Sequence, residues 1–536
     1  MSYTFRSLIR TIASLVALAG GAARCATPNC EGLQGLQLPD TTISLAKSYA
    51  KGDAITTTSK APVDLCRVAG MIAPSSDSNI NFEVWMPSSN WTGRYVQTGN
   101  AGFAGSIVYG LLSAVAANGD ATAVTDDGSS QPPGQPAGSF ALNHPERVKD
   151  FGFRAEHLTS VNAKSIINAF YGQAPRYSYF RGCSKGGQAA LMEAQRFPDD
   201  FDGIMAGAAP SHWTSFASAA MWNAQQVADG SNPGYLPSAN LAALAAAASA
   251  QCASAKLVPA DNFFNDPRRC HFNPQVLLCT GAPDSNCLTQ PQIDAVQNVL
   301  AGPTTASGRI APGIEPEFGW DGRLTQAAPT PFVSGTAGFF GIGFWGNFMP
   351  TPKGLNGPDS FDINTSPFDA AMQLGSVLNA YDPDLRKFRQ RGGKLVQYHG
   401  WADPLVSPRF AVNYFKSVVE FNEQHVYPDD ALKNTQEFFR LYMAPGLGHC
   451  SGGPGLNSFG QFGGSGPAES DMFSALERWV EQGIAPDKVI ATGGSAPNAF
   501  TRPLCPYPQK AHYVSGDPAK ADGFVCADDR QRPRRN

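Results

Sequence analysis

An α/β architecture is predicted for this chain: a mostly parallel sheet covered by helices on both faces, with one large block inserted into it. Three observations carry that prediction. Short apolar or β-branched runs alternate with helix-period runs as far as Ala209. Parallel strands need helical crossovers, and helices then cover both faces of the sheet. The texture changes over residues 210–359, where Ala-rich helices, closely spaced cysteines and Gly-, Pro- and Phe-rich loops follow one another. The alternation returns at Leu385 and persists to a closing helix that ends near Gln482.

At 536 residues the chain exceeds what one hydrophobic core organises, so a main domain with an insertion is expected. The net charge of −4 and the absence of a basic stripe exclude nucleic acid as a partner. Gly (55) and Pro (42) are abundant, but so is Phe (33), which points to loops around a scaffold rather than disorder. Residues 1–23 read as a signal peptide: Arg6 and Arg10, an apolar run from Ile12 to Ala19, then Gly21-Ala22-Ala23 as a cleavage site. No later stretch reads as a membrane span. A secreted or periplasmic location is therefore expected, with the 11 cysteines mostly paired and Cys25 the odd one. Nothing in the sequence speaks to oligomeric state.

The elements follow in order. Residues 30–94 are an irregular opening segment with strands, among them Asn79 to Pro87, whose period-two alternation predicts a half-buried strand. A strand from Trp91 to Thr98 runs into the Gly-rich loop Gly99 to Gly105. Ala121 to Asp126 is a strand ending in acids. Leu158, Val161, Ile166, Ile167 and Phe170 are spaced as on a helix from Arg154 to Tyr171. A β-prone run then meets Gly182-Cys183-Ser184-Lys185-Gly186, and Gln188 to Ala194 is helix-prone. Phe201 to Gly207 is a short apolar strand. After the inserted block come strands at Lys394 to His399 and Phe438 to Met443, and a helix from Asp471. The tail from Pro503 to Cys526 wraps back with its own cysteine pair.

The pattern Gly-x-Ser-x-Gly between a strand and a helix is that of a nucleophile elbow. A serine needs an adjacent base oriented by a third group. On this fold the order is Ser, then Asp or Glu, then His, each on a loop after a strand. Asp403 follows the strand ending at His399, and His449 follows the strand ending at Met443. Ser184 is thus assigned as nucleophile, His449 as base and then acid, and Asp403 as orienter, with His399 the rival base. An α/β-hydrolase fold results, with residues 24–209 and 360–536 as catalytic domain and 210–359 as a lid domain inserted after the sixth core strand.

Cys183 precedes the serine and Cys450 follows the histidine, so contact between Ser184 and His449 would bring these cysteines within disulfide range. An oxyanion needs N–H donors. The N–H of Lys185 is one candidate; the Gly-rich loop supplies the other, from Gly102 or Ala101. Phe339, Phe340, Phe344 and Trp345 form the most aromatic run of the insertion, suited to stack on an aromatic ring or to serve as lid core.

Several stretches together resemble the tannase and feruloyl esterase family, which includes mono(2-hydroxyethyl) terephthalate hydrolase. They are Trp91-Thr92-Gly93-Arg94-Tyr95, the Gly99 to Gly105 loop, Phe151-Gly152-Phe153-Arg154, Arg181-Gly182-Cys183-Ser184, Phe201-Asp202-Gly203-Ile204, His399-Gly400-Trp401-Ala402-Asp403-Pro404, Gly448-His449-Cys450 and Leu504-Cys505-Pro506-Tyr507-Pro508. The resemblance implies an exported serine carboxylic ester hydrolase acting on small esters of hydroxylated aromatic acids. By analogy it implies bridges Cys30–Cys66, Cys183–Cys450, Cys252–Cys270, Cys279–Cys287 and Cys505–Cys526. The chain departs from the family pattern at Lys185, Gln188 and Ala101. Lys185 is expected either to meet an acidic substrate or to point to solvent. Relatives hold calcium in a lid loop of Asp-Gly pairs between two cysteines. Here Cys252 to Cys270 lacks those pairs and leaves Asp261, Asn262, Asn265 and Asp266, with Lys256 beside them. Calcium needs six to eight oxygens, so no metal and no other cofactor is expected. Two other readings keep the scaffold: an acyltransferase with the same triad, and a non-catalytic ligand-binding protein, which loss of a triad member would favour.

Overall fold

The computed structural model describes residues 29–103, 105–132, 134–227, 232–317, 335–348 and 361–529, with side chains from residue 339 onward in the segment that begins at 335. The signal-peptide reading and Cys25 lie outside the described residues.

Nine strands form the main sheet: β1 (Thr41–Tyr49), β2 (Leu65–Ile72), β3 (Ile80–Pro87), β4 (Arg94–Thr98), β5 (Ala121–Thr125), β6 (Tyr177–Cys183), β7 (Gly203–Gly207), β10 (Lys394–Gly400) and β11 (Phe439–Ala444), the short ribbon of β8 (Thr304–Thr305) and β9 (Gly308–Arg309) falling between β7 and β10. Their order is β1-β2-β3-β5-β4-β6-β7-β10-β11. The pairings from β5 through β11 are parallel, whereas β1, β2 and β3 pair antiparallel and join β5 antiparallel. This is an α/β-hydrolase fold. With β1 as an added edge strand, β7 is the sixth strand of the remainder, and the long block leaves the sheet there.

The winding reverses at β4. The chain passes from β4 to β5 on one side, then crosses back to β6 on the other. Loops leaving the carboxyl ends of β4 and β6 therefore open a crevice between them, the usual ligand position in such sheets. Those loops are the Gly-rich segment and the serine turn.

Strand β3 differs from its half-buried expectation. All but one of its residues are buried, because β2 and β5 flank it and helix Ala155–Tyr171 packs against the strand. Helix Ala155–Tyr171 and helix Lys185–Arg196 join the main core with Ile166, Ile167, Leu191 and Met192. On the other face, helix Met472–Gln482 is capped by the Asp471 carboxylate on the Ser474 N–H at 3.0 Å. It buries Phe473, Leu476 and Trp479 with Tyr179, Val396 and Tyr442.

The block between β7 and β10 has a core of its own around Leu236, Leu244, Ile293 and Val296. Helices Trp213–Val227, Gly335–Asn347 and Ser366–Leu378 instead share one aromatic-rich cluster with Phe103, Phe140 and Phe151 of the main domain. The sequence boundaries at 209 and 360 thus cut through a continuous core. Beyond β11, three short strands, β12 (Leu456–Ser458), β13 (Val489–Gly493) and β14 (Phe500–Leu504), form a second sheet, and β15 (Lys510–Tyr513) pairs with β16 (Phe524–Ala527). Sequence reading saw none of this second sheet, nor helix Arg409–His425.

Candidate active site

The serine turn is built by its glycines. Ser184 stands between β6 and the helix at φ 63° and ψ −121°, a conformation costly for a residue with a Cβ. A Cβ on Gly182 would lie 2.5 Å from the Gly186 backbone, and one on Gly187 would lie 2.1 Å from the Gly207 carbonyl oxygen. The turn is thus pressed against itself and against the end of β7. Ser184 N–H donates to the Gly207 carbonyl at 2.9 Å.

Two further loops converge on Ser184 Oγ. His449, four residues past the loop start at Pro445, places Nε2 2.9 Å from that oxygen. Its Nδ1 lies 2.7 Å from Asp403 Oδ2. Asp403 Oδ1 accepts the N–H groups of Leu405 (2.9 Å) and Val406 (3.0 Å). Burial alone would raise the Asp403 carboxyl; the His449 charge and the hydrogen bonds from both histidines outweigh it and hold the group well below the usual carboxylate range. The rival His399 touches Asp403 and the Val406 carbonyl, and its hydrogen bonds do not include Ser184.

All five bridges read from the family resemblance are present: Cys30–Cys66, Cys183–Cys450, Cys252–Cys270, Cys279–Cys287 and Cys505–Cys526. The second ties the serine strand to the histidine loop across 267 residues.

The Lys185 N–H opens helix Lys185–Arg196, where helical amides have no intrahelical acceptor. In the Gly-rich loop, the Ala101 N–H is engaged by Asn100 Oδ1 at 3.0 Å. Gly102, at φ 65°, has no such engagement among the described residues. The loop is close to the elbow: a Cβ on Gly99 would lie 2.8 Å from Gly186 Cα.

Lys185 follows neither expected course. Its side chain is 1% exposed, and Nζ lies 3.5 Å from Asp127 Oδ2, itself on a side chain 1% exposed. Nζ also stands 4.7 Å over the Phe151 ring. The lysine therefore turns into the protein beneath the elbow, where Asp127 offers opposite charge and Phe151 a π face. Nearby, Gln97 Nε2 donates to Glu156 Oε2 at 2.6 Å. Burial, then the Asp127 charge, pushes Glu156 well above its ordinary range, against the pull of Lys185. Asp127, Glu156 and Gln97 went unseen as a group in the sequence; the acids closing β5 were the available signal.

The aromatic run divides. Phe344 and Trp345 are buried with Phe348 and Phe361, so they are core and not free to stack on a ligand. Phe340 is buried too, yet its Cζ lies 3.8 Å from where a Gly102 Cβ would stand. Phe339 alone of the four presents an exposed ring, at 41%, and packs on Phe103 of the Gly-rich loop.

The Cys252–Cys270 loop does not fit calcium. Asp266 meets Arg268 at 2.8 Å and Lys510 at 3.2 Å, and Asp261 lies 3.4 Å from Arg502. Asn265 Nδ2 donates to the Ala511 carbonyl at 3.1 Å. Oxygens committed to three cations do not make a calcium cage.

Comparisons with known proteins show the family and the fold that this chain shares. A family model described as tannase and feruloyl esterase matches residues 66–527. An uncharacterized esterase of Xanthomonas campestris pv. campestris is 41% identical, covering 98% of this chain and 95% of its own length. A probable feruloyl esterase B-2 of Aspergillus flavus is 32% identical over 80% of each chain. The crystal structure of feruloyl esterase B from Aspergillus oryzae superposes with a TM-score of 0.84 at 25% identity, over 93% of this chain and 99% of that one. Tannin acyl hydrolase from Aspergillus niger shares the fold, with a TM-score of 0.73 at 19% identity, over 94% and 95%.

Proposed function

We infer the function from one premise: the chain belongs to the tannase and feruloyl esterase family, and so to the carboxylic ester hydrolases. We propose that it is an exported serine esterase that cleaves esters of hydroxylated aromatic acids through an acyl-enzyme. The observation that carries the reading is the unbroken chain from Asp403 through His449 to Ser184 at a strained elbow.

His449 Nε2 takes the Ser184 proton as Oγ attacks the ester carbonyl carbon. The carbonyl electrons move onto oxygen, which accepts from the N–H groups of Lys185 and Gly102. Collapse expels the alcohol, protonated by His449. Water then attacks the acyl carbon with His449 again as base, and the acid leaves as Ser184 recovers its proton. Asp403 stays a carboxylate throughout, since four donors hold it so.

The inserted block acts as a lid over the serine. Phe339, exposed and packed on the loop that carries Gly102, supports an aromatic acyl group. Five disulfides support export, and no helix among the described residues is long and apolar enough to cross a membrane. The test is Ser184→Ala against a panel of feruloyl, galloyl and terephthaloyl esters. Turnover by the wild type of at least one ester and its loss in the variant are expected; retained turnover overturns the serine mechanism.

A further inference from the structure

Asp403 serves two histidines, and one of them has no part in the proton transfers above. Oδ2 accepts from His449 Nδ1 at 2.7 Å and from His399 Nε2 at 3.1 Å. His399 Nε2 also lies 2.9 Å from the Val406 carbonyl oxygen. A carbonyl and a carboxylate both only accept, so Nε2 carries the ring proton and shares it between them. His399 is fully buried at the end of β10, and its Nδ1 has no partner among the described residues. A buried nitrogen without a partner costs stability that an apolar side chain of like size would not. The hydrogen bonds of the ring among the described residues are those of Nε2.

We propose that His399 is a positioning residue for ester hydrolysis: its Nε2–H braces Asp403 and draws charge from the oxygen on which His449 rests. The proposal rests on the roles assigned above to Ser184, His449 and Asp403. Two effects follow. With Oδ1 held by the Leu405 and Val406 N–H groups and Oδ2 by His399, the carboxylate cannot rotate away from His449. The His399 donor also weakens the pull of Asp403 on a proton at His449. Among the described residues, the titratable groups in hydrogen-bond contact with the Asp403–His449 pair are His399 and Ser184.

The experiment compares wild type, His399→Leu, His399→Gln and Ser184→Ala as whole mature enzymes on methyl ferulate and 4-nitrophenyl acetate, with kcat and KM measured across pH. Loss of a donor to a buried charge should lower kcat about tenfold to a hundredfold in His399→Leu, with KM little changed. The acid limb of kcat/KM should move up by roughly half to one pH unit. His399→Gln, whose amide donates from nearly the same place, should recover most of kcat and keep the wild-type limb. An unmoved limb in His399→Leu, or a shifted limb in His399→Gln, overturns the proposal. If His399→Leu does not fold, His399→Phe fills the space without a donor and is read the same way. Turnover by Ser184→Ala would sink the serine mechanism instead. An inactive Ser184→Ala with an unmoved His399→Leu limb sinks only the positioning role.

Discussion

Lys185 shows what a single residue's position in sequence leaves open. Its neighbour Ser184 is legible because Gly-x-Ser-x-Gly between strand and helix is a local pattern with a local cause. The direction of the lysine side chain is not local: it depends on Asp127, two residues past the end of β5, and on Phe151, from the turn before helix Ala155–Tyr171. Because both charges are 1% exposed, solvent does not screen the pair. Lys185→Met leaves Asp127 buried without its cation, and should cost about 3–5 kcal/mol. Lys185→Met with Asp127→Asn should recover at least half of that loss, both read from denaturant midpoints. Glu317 is a second buried group with a testable sign. Burial, helped by the charges of Glu315 and Asp266 and opposed by the Phe264 N–H, pushes its carboxyl from 4.5 to about 8. Between those values the folded state holds a proton that the unfolded state has released. Stability from this group is thus full below about pH 4.5 and is lost as pH rises to about 8, at about 1.4 kcal/mol per pH unit. Glu317→Gln should flatten that slope in unfolding measured across the window.

At the scale of elements, the elbow is a junction of three backbones. Helix Lys185–Arg196 reaches the end of β7 only because Gly187 has no side chain. Gly187→Ala should destabilise by about 3 kcal/mol or more, since backbone and not a movable side chain meets the new carbon. Gly110 is the contrast: it lies in helix Tyr109–Ala116 with nothing within 4 Å of a Cβ. Gly110→Ala should stabilise by about 0.5–1 kcal/mol. Thermal unfolding of the two variants separates the cases. The strands that carry site loops were readable from sequence because they are short apolar runs between helices. The second sheet, β12 to β14, was not: its strands are short, lie among Gly and Pro, and are stabilised by pairing with one another rather than by a pattern of their own.

At the scale of the whole molecule, Cys183–Cys450 joins the end of β6 to the loop after β11, across the block between β7 and β10. Closing a loop of 267 residues should restrict the unfolded chain by about 5.6 kcal/mol on the loop-entropy relation. Cys183→Ser with Cys450→Ser should lower the unfolding midpoint and also turnover, because His449 loses the covalent anchor of its loop. A variant with unchanged kcat would show that packing alone holds that loop. The sequence by itself determined the α/β-hydrolase fold and named Ser184, Asp403 and His449 as candidates, since the alternation of strand and helix, the turn glycines and the order of the loops along the chain are local features. Only the tertiary structure decided that Lys185 is buried, that Phe344 and Trp345 are core while Phe339 is exposed, and that Asp403 is shared with His399. Those facts are contacts between residues far apart in the chain, and no local propensity encodes which partner a side chain meets once the backbone has closed around it.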